Sequence, residues 1–291
     1  MGIMVDKKVK KHFLGFHTVF NVHENVQWLE EFLIYYINLG FTQFYLYDNT
    51  NCHGRQPDVH DQLWVSYKIN GLNKYGFKIK EKPSEVIKEI IKKYKNYITY
   101  IKWEPRDKNN EIFYGQPEAI NHLIDNFSDE ITWCAFFDLD EFIFSPNNSD
   151  LICLLKNTNN TGSILLKQKK FLDRHLSTEK FITQEFKALN LLPHTIKDED
   201  GLIKRLDDNV KKIRGYGHKH IVNIDNYKGI KNIHTFVNEN IIKPRHTEWR
   251  FNHYNSNHIS RKWINDHLNL KCDKLYSGED TGMKRYSYLF V

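Results

Sequence analysis

Asp138 and Asp140 are the residues of this chain whose types and spacing point most directly to chemistry. They stand in the run from Trp133 to Phe144, where an apolar stretch enters three carboxylates, Asp138, Asp140 and Glu141, and then turns apolar again. Charged side chains are seldom buried without a partner, so carboxylates in such a run call for one. Side chains two apart on a strand share a face, which lets Asp138 and Asp140 offer two hard oxygen ligands to one divalent cation. The same residues also fit a polar turn that ends a buried strand, since short acidic motifs are common. The near-continuous apolar stretch from Trp133 to Phe137 reads as a strand covered on both faces, and open α/β sheets bind ligands at the carboxyl ends of such strands. A divalent-metal site at a strand end is the expectation.

Such a site needs a sheet to carry it, and the first half of the chain alternates strand and helix signals as a parallel sheet with crossover helices does. Phe13 to Asn21 reads as a strand, Val26 to Leu39 as an amphipathic helix ending at Gly40, and Phe41 to Tyr47 as a second strand. Pro83 and Ser84 open a helix whose apolar positions Val86, Ile87, Ile90, Ile91 and Tyr94 recur at helical spacing. Tyr97 to Trp103 is a third strand, Pro117 to Phe127 a short helix, and Ile131 to Phe137 the fourth strand, which delivers Asp138 and Asp140 to its carboxyl end. Beyond Asp150 the pattern loosens. Ser163 to Lys167 reads as a strand, Glu179 to Leu189 is ambiguous, and Asp198 to Lys212 is a charged excursion.

The 291 residues are 40% hydrophobic and 14% aromatic, enough to bury a sizeable core and too apolar for a disordered body. The best apolar candidate for a membrane span, Phe32 to Tyr47, is broken by Asn38, Gly40, Thr42 and Gln43. Lys7, Lys8, Lys10 and Lys11 have no apolar core behind them, so residues 1–12 read as a basic tail and a soluble, cytoplasmic protein is expected. Cysteines at 52, 134, 153 and 272 form no Cys-x-x-Cys pair, which indicates neither a disulfide framework nor a structural zinc site. Sequons at Asn126, Asn147 and Asn159 matter only in a secretory lumen. The net charge of +6 is uneven: residues 78–102 hold eight Lys against Glu81, Glu85 and Glu89. This is a solvated helix face, or a patch that draws an anionic donor, nucleic acid or the surface of an anionic membrane. His218 and His220 alternate on one strand face, but with no Cys or carboxylate at ligand spacing they do not make a zinc motif. Neither a Gly-x-x-x-x-Gly-Lys-Ser/Thr nor a Gly-x-Gly-x-x-Gly loop is present, which excludes P-loop and Rossmann dehydrogenase classes.

Four blocks, taken in order, resemble the GT-A glycosyltransferases of the family 2-like and family 92 group. Phe20 to Asn25 with Trp28 to Phe32 and Tyr45 to Asn49 is similar to the opening of those enzymes, and Gln116 to His122 to their glutamine-to-Asn-His helix. Trp133 to Phe144 is similar to their metal-binding strand, and Asn252-His253-Tyr254 to their carboxyl-terminal His-Tyr element. The resemblance covers residues 13–145 well and 215–265 loosely.

It implies an α/β protein of GT-A fold, with a mostly parallel central sheet flanked by helices, in one domain over residues 13–291. Residues 13–145 would be the donor and metal half, and 146–291 the acceptor half with a carboxyl-terminal lid. The implied reaction moves a sugar, with inversion, from a nucleoside-diphosphate sugar, most often a uridine one, to a hydroxyl of a glycan or glycoconjugate. The implied cofactor is Mn2+ or Mg2+ on Asp138 and Asp140, with His253 as third ligand. Asn21, Glu24, Asp48, Gln116, Asn121, Asp138 and Lys219 would line the donor, Lys219 beside the phosphates. Asn21, Glu24 and Asp48 do stand just past the first two strands, where an open sheet binds nucleotides. Asp48 can accept from a uracil N–H or a ribose hydroxyl and equally fits an Asx turn; Glu24 also suits the start of a helix.

Inversion needs a base for the acceptor hydroxyl. Where the family has a Gly-Ser-rich acceptor segment, this chain has Lys169 to His175, and Asp173 is the expected base, against its alternative as a surface carboxylate paired with Arg174. Two other classes compete: a magnesium-dependent nucleotidyltransferase, which also uses paired aspartates, and a non-enzymatic basic binding protein whose binding would be salt-sensitive and metal-independent. With the aspartates unexplained by the latter, nucleic acid is not the expected partner.

Overall fold

The computed structural model of the protein describes residues 10–52, 83–158, 160–171 and 217–254, four short strands between 187 and 214, the strand Tyr276–Glu279 and the 3-10 helix Gly282–Phe290. Residues 1–9 of the expected basic tail and Asp173 lie outside the described residues. Lys10 is docked, its ammonium donating to the carbonyls of Ser128 and Ile131 at 2.8 and 2.9 Å and pairing with Asp225 at 2.6 Å. No helix among the described residues is long and apolar enough to cross a membrane.

In chain order the elements that position the site are β1 (His12–Phe20), α1 (Val22–Asn38), β2 (Gln43–Asp48), α2 (Pro83–Lys93), β3 (Ile98–Lys102), α3 (Gln116–Phe127), β4 (Ile131–Phe136), β5 (Glu141–Phe144), α4 (Leu151–Lys156), β6 (Ser163–Lys170), β7 (His218–Asn223) and β8 (Arg250–His253). They build one mixed, mostly parallel sheet in the order β3-β2-β1-β4-β7-β6-β8-β5, with Ile241–Ile242 added beside β6. β3, β2, β1 and β4 run parallel, β7 is antiparallel to β4 and β6, and β8 is parallel to β6 but antiparallel to β5.

β1 is buried along nearly its whole length because helices cover both of its faces. On one face α1 lays down Leu29, Phe32, Leu33 and Tyr36, which repeat at three- and four-residue spacing and are fully buried. They close around Phe16, whose ring lies 4.5 to 6.1 Å from those of Tyr36, Phe32, Phe41, Phe44 and Phe137. Truncating such a ring costs about 3–5 kcal/mol. The helix stops at Gly40, whose φ of 94° lies in the left-handed region that glycine adopts most readily. On the other face α3 covers Val19, Tyr47, Cys134 and Phe136 with Ala119, Ile120 and Leu123.

From β1 the chain moves outward through β2 to β3, then returns to place β4 on the other side of β1. The carboxyl ends of β1 and β4 therefore flank a topological switch point, where open sheets bind ligands.

Several expected boundaries change. α1 begins at Val22, four residues early, because the carbonyl of Asn21 already accepts from Asn25 N at 2.9 Å. Asp48 closes β2 rather than following it. Asp138 and Asp140 are not alternate residues of one strand: β4 ends at Phe136, the aspartates form a turn, and Glu141 opens β5, a strand the apolar run had hidden. α2 turns Lys88, Lys92 and Lys93 to solvent, and Lys93 pairs with Glu30 at 2.6 Å, as a solvated helix face does.

Candidate active site

The turn between β4 and β5 is fixed from several directions. Within it Glu141 N donates to Asp138 O at 3.1 Å, and the Glu141 side chain returns to accept from Asp138 N at 2.9 Å. From α1 the Tyr36 hydroxyl donates to Glu141 O at 2.7 Å and accepts from Ile143 N at 2.9 Å, while the Tyr35 hydroxyl donates to Ile143 O at 2.7 Å. Both tyrosines are fully buried, so each bond satisfies a backbone group that water cannot reach. From β8 the chain adds Tyr254 N, which donates to Asp140 O at 3.0 Å.

Held this way, the two aspartates diverge. Asp138 Oδ2 accepts from Lys219 Nζ at 2.8 Å, and its Oδ1 from Gln116 Nε2 at 3.3 Å. Gln116 is aimed by the start of α3: Gly115 takes a φ of 58°, and a side chain there would put its Cβ 2.4 Å from Pro105. Lys219 also reaches Glu141 Oε2 at 3.0 Å, and both of these side chains are almost wholly buried. Burial by itself favours the neutral amine, yet Asp138 and Glu141 more than offset it and hold the ammonium above the ordinary lysine range. Burial raises Glu141, Lys219 opposes the shift, the neighbouring Asp138 and Asp140 add to it, and the carboxyl is pushed up to about 7.

Asp140 is buried and turns the other way, its Oδ2 3.4 Å from His253 Nε2. The second ring nitrogen of His253 pairs with the side-chain amide of Gln168.

The remaining expected site residues fall into separate groups. Asp48 sits at the same sheet edge, but its oxygens are engaged locally: Oδ1 accepts from Thr50 N at 2.9 Å and from the Thr50 hydroxyl, and Oδ2 from the Tyr100 hydroxyl. Asn21 is buried between β1 and α1, where its N–H donates to Asn25 Oδ1 at 3.2 Å. Glu24 lies in the first turn of α1, and its side chain is outside the described residues. Asn121 is exposed on α3, its Oδ1 3.4 Å from the Tyr227 hydroxyl. Thus the structure brings together Gln116, Asp138 and Lys219, and separately Asp140 and His253.

Sequence reasoning missed Glu141, which joins the turn to Lys219. Its signal was present, a carboxylate at the head of the apolar run Phe142–Phe144, next to the two aspartates whose spacing fits a metal. It also missed Gln168, a polar residue in β6 with no distinguishing motif.

Charge and donor type fit a hard divalent cation. Three carboxylates, Asp138, Asp140 and Glu141, stand against the one Lys219 ammonium, and the facing Asp140 oxygen suits Mn2+ or Mg2+, whereas the His253 nitrogen suits Mn2+ better than the oxygen-seeking Mg2+. Among the described residues no three His, Cys, Asp or Glu side chains converge closely enough to hold an ion, in keeping with Asp138 being turned toward Lys219. Beside the turn a small cleft is lined by His17, Thr18, Gln116, Asp138, Phe136 and Lys219. The arrangement presents a buried ammonium and two acidic stations at a switch point, a setting suited to a group that develops negative charge.

A family model described as glycosyltransferase family 92 matches residues 66–283, about three quarters of the chain. No curated protein matches.

Proposed function

We propose that this chain, which belongs to glycosyltransferase family 92, has a GT-A fold and transfers a hexose from a uridine-diphosphate sugar to a hydroxyl of a glycan or glycoconjugate, with inversion. What supports this reading is the position of Asp138 and Asp140 just past the carboxyl end of β4, with Lys219 reaching Asp138 from the start of the adjoining β7, at the edge where a nucleotide's phosphates would meet the sheet.

In this reading Lys219 faces the diphosphate and stabilises the charge that grows on it as the sugar departs. The buried setting makes that ammonium worth more than it would be in water. Gln116 orients Asp138, and Glu141 holds Lys219. Asp138, Asp140 and His253 would hold Mn2+ or Mg2+, which supplies Lewis-acid stabilisation of the leaving group. Asn21, Glu24 and Asp48 serve the nucleoside flank of the same edge, with Asn121 further along α3. The acceptor proton passes to a carboxylate oxygen, for which Asp173 is the proposed base, as the hydroxyl oxygen attacks the anomeric carbon from the face opposite the diphosphate.

Calorimetric titration of uridine, adenosine and guanosine diphosphates with manganese tests the donor, and release of uridine diphosphate from a panel of its sugars tests the reaction. The uridine nucleotide is expected to bind at least about tenfold more tightly than the others, a difference of about 1.4 kcal/mol. Equal binding of the three, with no turnover of any sugar, overturns the reading.

A further inference from the structure

Lys219 has two carboxylate partners of unequal standing. Glu141 is as buried as the lysine, and its Oε2 is held from two sides, by Lys219 at 3.0 Å and by Asp138 N at 2.9 Å. The Asp138 side chain is 36% exposed, and among the described residues its other oxygen meets the longer 3.3 Å contact from Gln116.

We propose that Lys219, clamped by Glu141, is a cationic subsite for the donor diphosphate that works without a metal ion, and that a diphosphate oxygen takes the place of Asp138 at the ammonium. The inference rests on the donor reading above and deepens it. Glu141 remains in place throughout, so the exchange never leaves a bare charge in the interior. Asp138 is the partner that yields, because it is the more exposed of the two and its charge can be met by solvent or by a cation.

Two consequences follow for binding. A nucleoside diphosphate keeps measurable affinity in the presence of a chelator. Diphosphate and cation also favour each other, since a diphosphate at Lys219 frees the Asp138 carboxylate, and the coupling is equal in both directions.

The test is calorimetry of uridine diphosphate in EDTA, together with manganese binding followed by electron paramagnetic resonance with and without the nucleotide. It compares the wild-type protein with the double variant Lys219→Met/Glu141→Gln. Changing both members leaves no lone buried charge, and a melting curve shows that the variant is folded. The wild type is expected to bind the nucleotide in EDTA and to bind manganese at least about tenfold more tightly once the nucleotide is present. In the variant the chelator-resistant affinity falls at least about tenfold, manganese alone binds more tightly, and the coupling weakens. An unchanged chelator-resistant affinity in the folded variant overturns the inference, as does a wild type that binds the nucleotide only with manganese. A wild type that binds no nucleoside diphosphate under any condition overturns the donor reading itself.

Discussion

Asp48 and Asp138 occupy comparable places on either side of β1, one closing β2 and the other just past β4, yet they are held by opposite chemistry. Asp48 is satisfied by neutral donors from its own turn and the adjacent strand, and Thr50, which binds it, also accepts from Val22 N at 2.8 Å, tying the turn to α1. Asp138 draws its partners from α3, β5 and β7, and its strongest is a buried ammonium. A carboxylate satisfied by its own turn is fixed when the turn forms. One satisfied by a charge from a distant strand can give that partner up to another ion. The contrast therefore separates a fixed station from an exchangeable one along a single sheet edge.

The largest expected effect sharpens this contrast. Asp140→Asn beside the exchangeable station keeps the side-chain shape but removes its charge, and turnover is expected to fall at least about a hundredfold, about 2.7 kcal/mol of barrier. Denaturant unfolding should be nearly unchanged, and full turnover by the purified variant would remove Asp140 from the site.

The next effect concerns His17, on the strand between the two stations, with Tyr47 and Phe136 against its ring. Burial lowers its pKa to about 3, against the opposing pull of an Ala119 backbone contact and of Asp138. The ring is neutral in the fold, whereas in the unfolded chain it protonates near pH 6.5, so between those values the unfolded state binds more protons. Stability is thus full above about pH 6.5 and falls as pH falls across that window, losing about 2 kcal/mol by about pH 5 from this residue. Urea titrations against pH should show the loss in the wild type and a flatter profile in His17→Phe. Parallel profiles would mean that the ring is not held neutral.

Asp48→Ala is expected to cost about 1.5 kcal/mol of stability, because it strips the Tyr100 hydroxyl and the Thr50 turn of their acceptor. Urea unfolding measures this. A loss of nucleotide binding with no loss of stability would break the contrast and make Asp48 an exchangeable station too.

The smallest effect is His253→Ala, expected to weaken manganese binding about tenfold, about 1.4 kcal/mol, with turnover partly restored at higher manganese. An unchanged metal dependence would make the His253 and Asp140 contact purely structural.

Much of the first half of the fold was legible because its signals are local. The apolar repeat of α1, the helical spacing in α2, and the runs that became β1, β2, β3 and β4 each reflect a few neighbouring residues, and their ends shifted by one to four positions. β5 and β8 were not legible. Phe142 to Phe144 read only as the apolar return after the carboxylates, and pairing with Arg250–His253 makes it a strand. The turn at Asp138 was legible only as the alternative of a polar turn ending a buried strand, since strand periodicity would have set both aspartates on one face while the Tyr35 and Tyr36 hydroxyls fix the chain in another course.

The sequence by itself determined which residue types stand at the carboxyl edge of the sheet: acidic side chains after an apolar strand, and the helices that bury the strands before it. Those properties depend on patterns of a few residues, which are set before any long-range contact forms. The tertiary structure alone decided that Asp138 faces Lys219, that Glu141 clamps the same ammonium, and that Asp140 faces His253. Lys219 stands 81 residues from Asp138 along the chain, and only the antiparallel insertion of β7 between β4 and β6 brings its side chain there. A charged residue's partner is a property of strand order and register, and no local pattern in a chain records it.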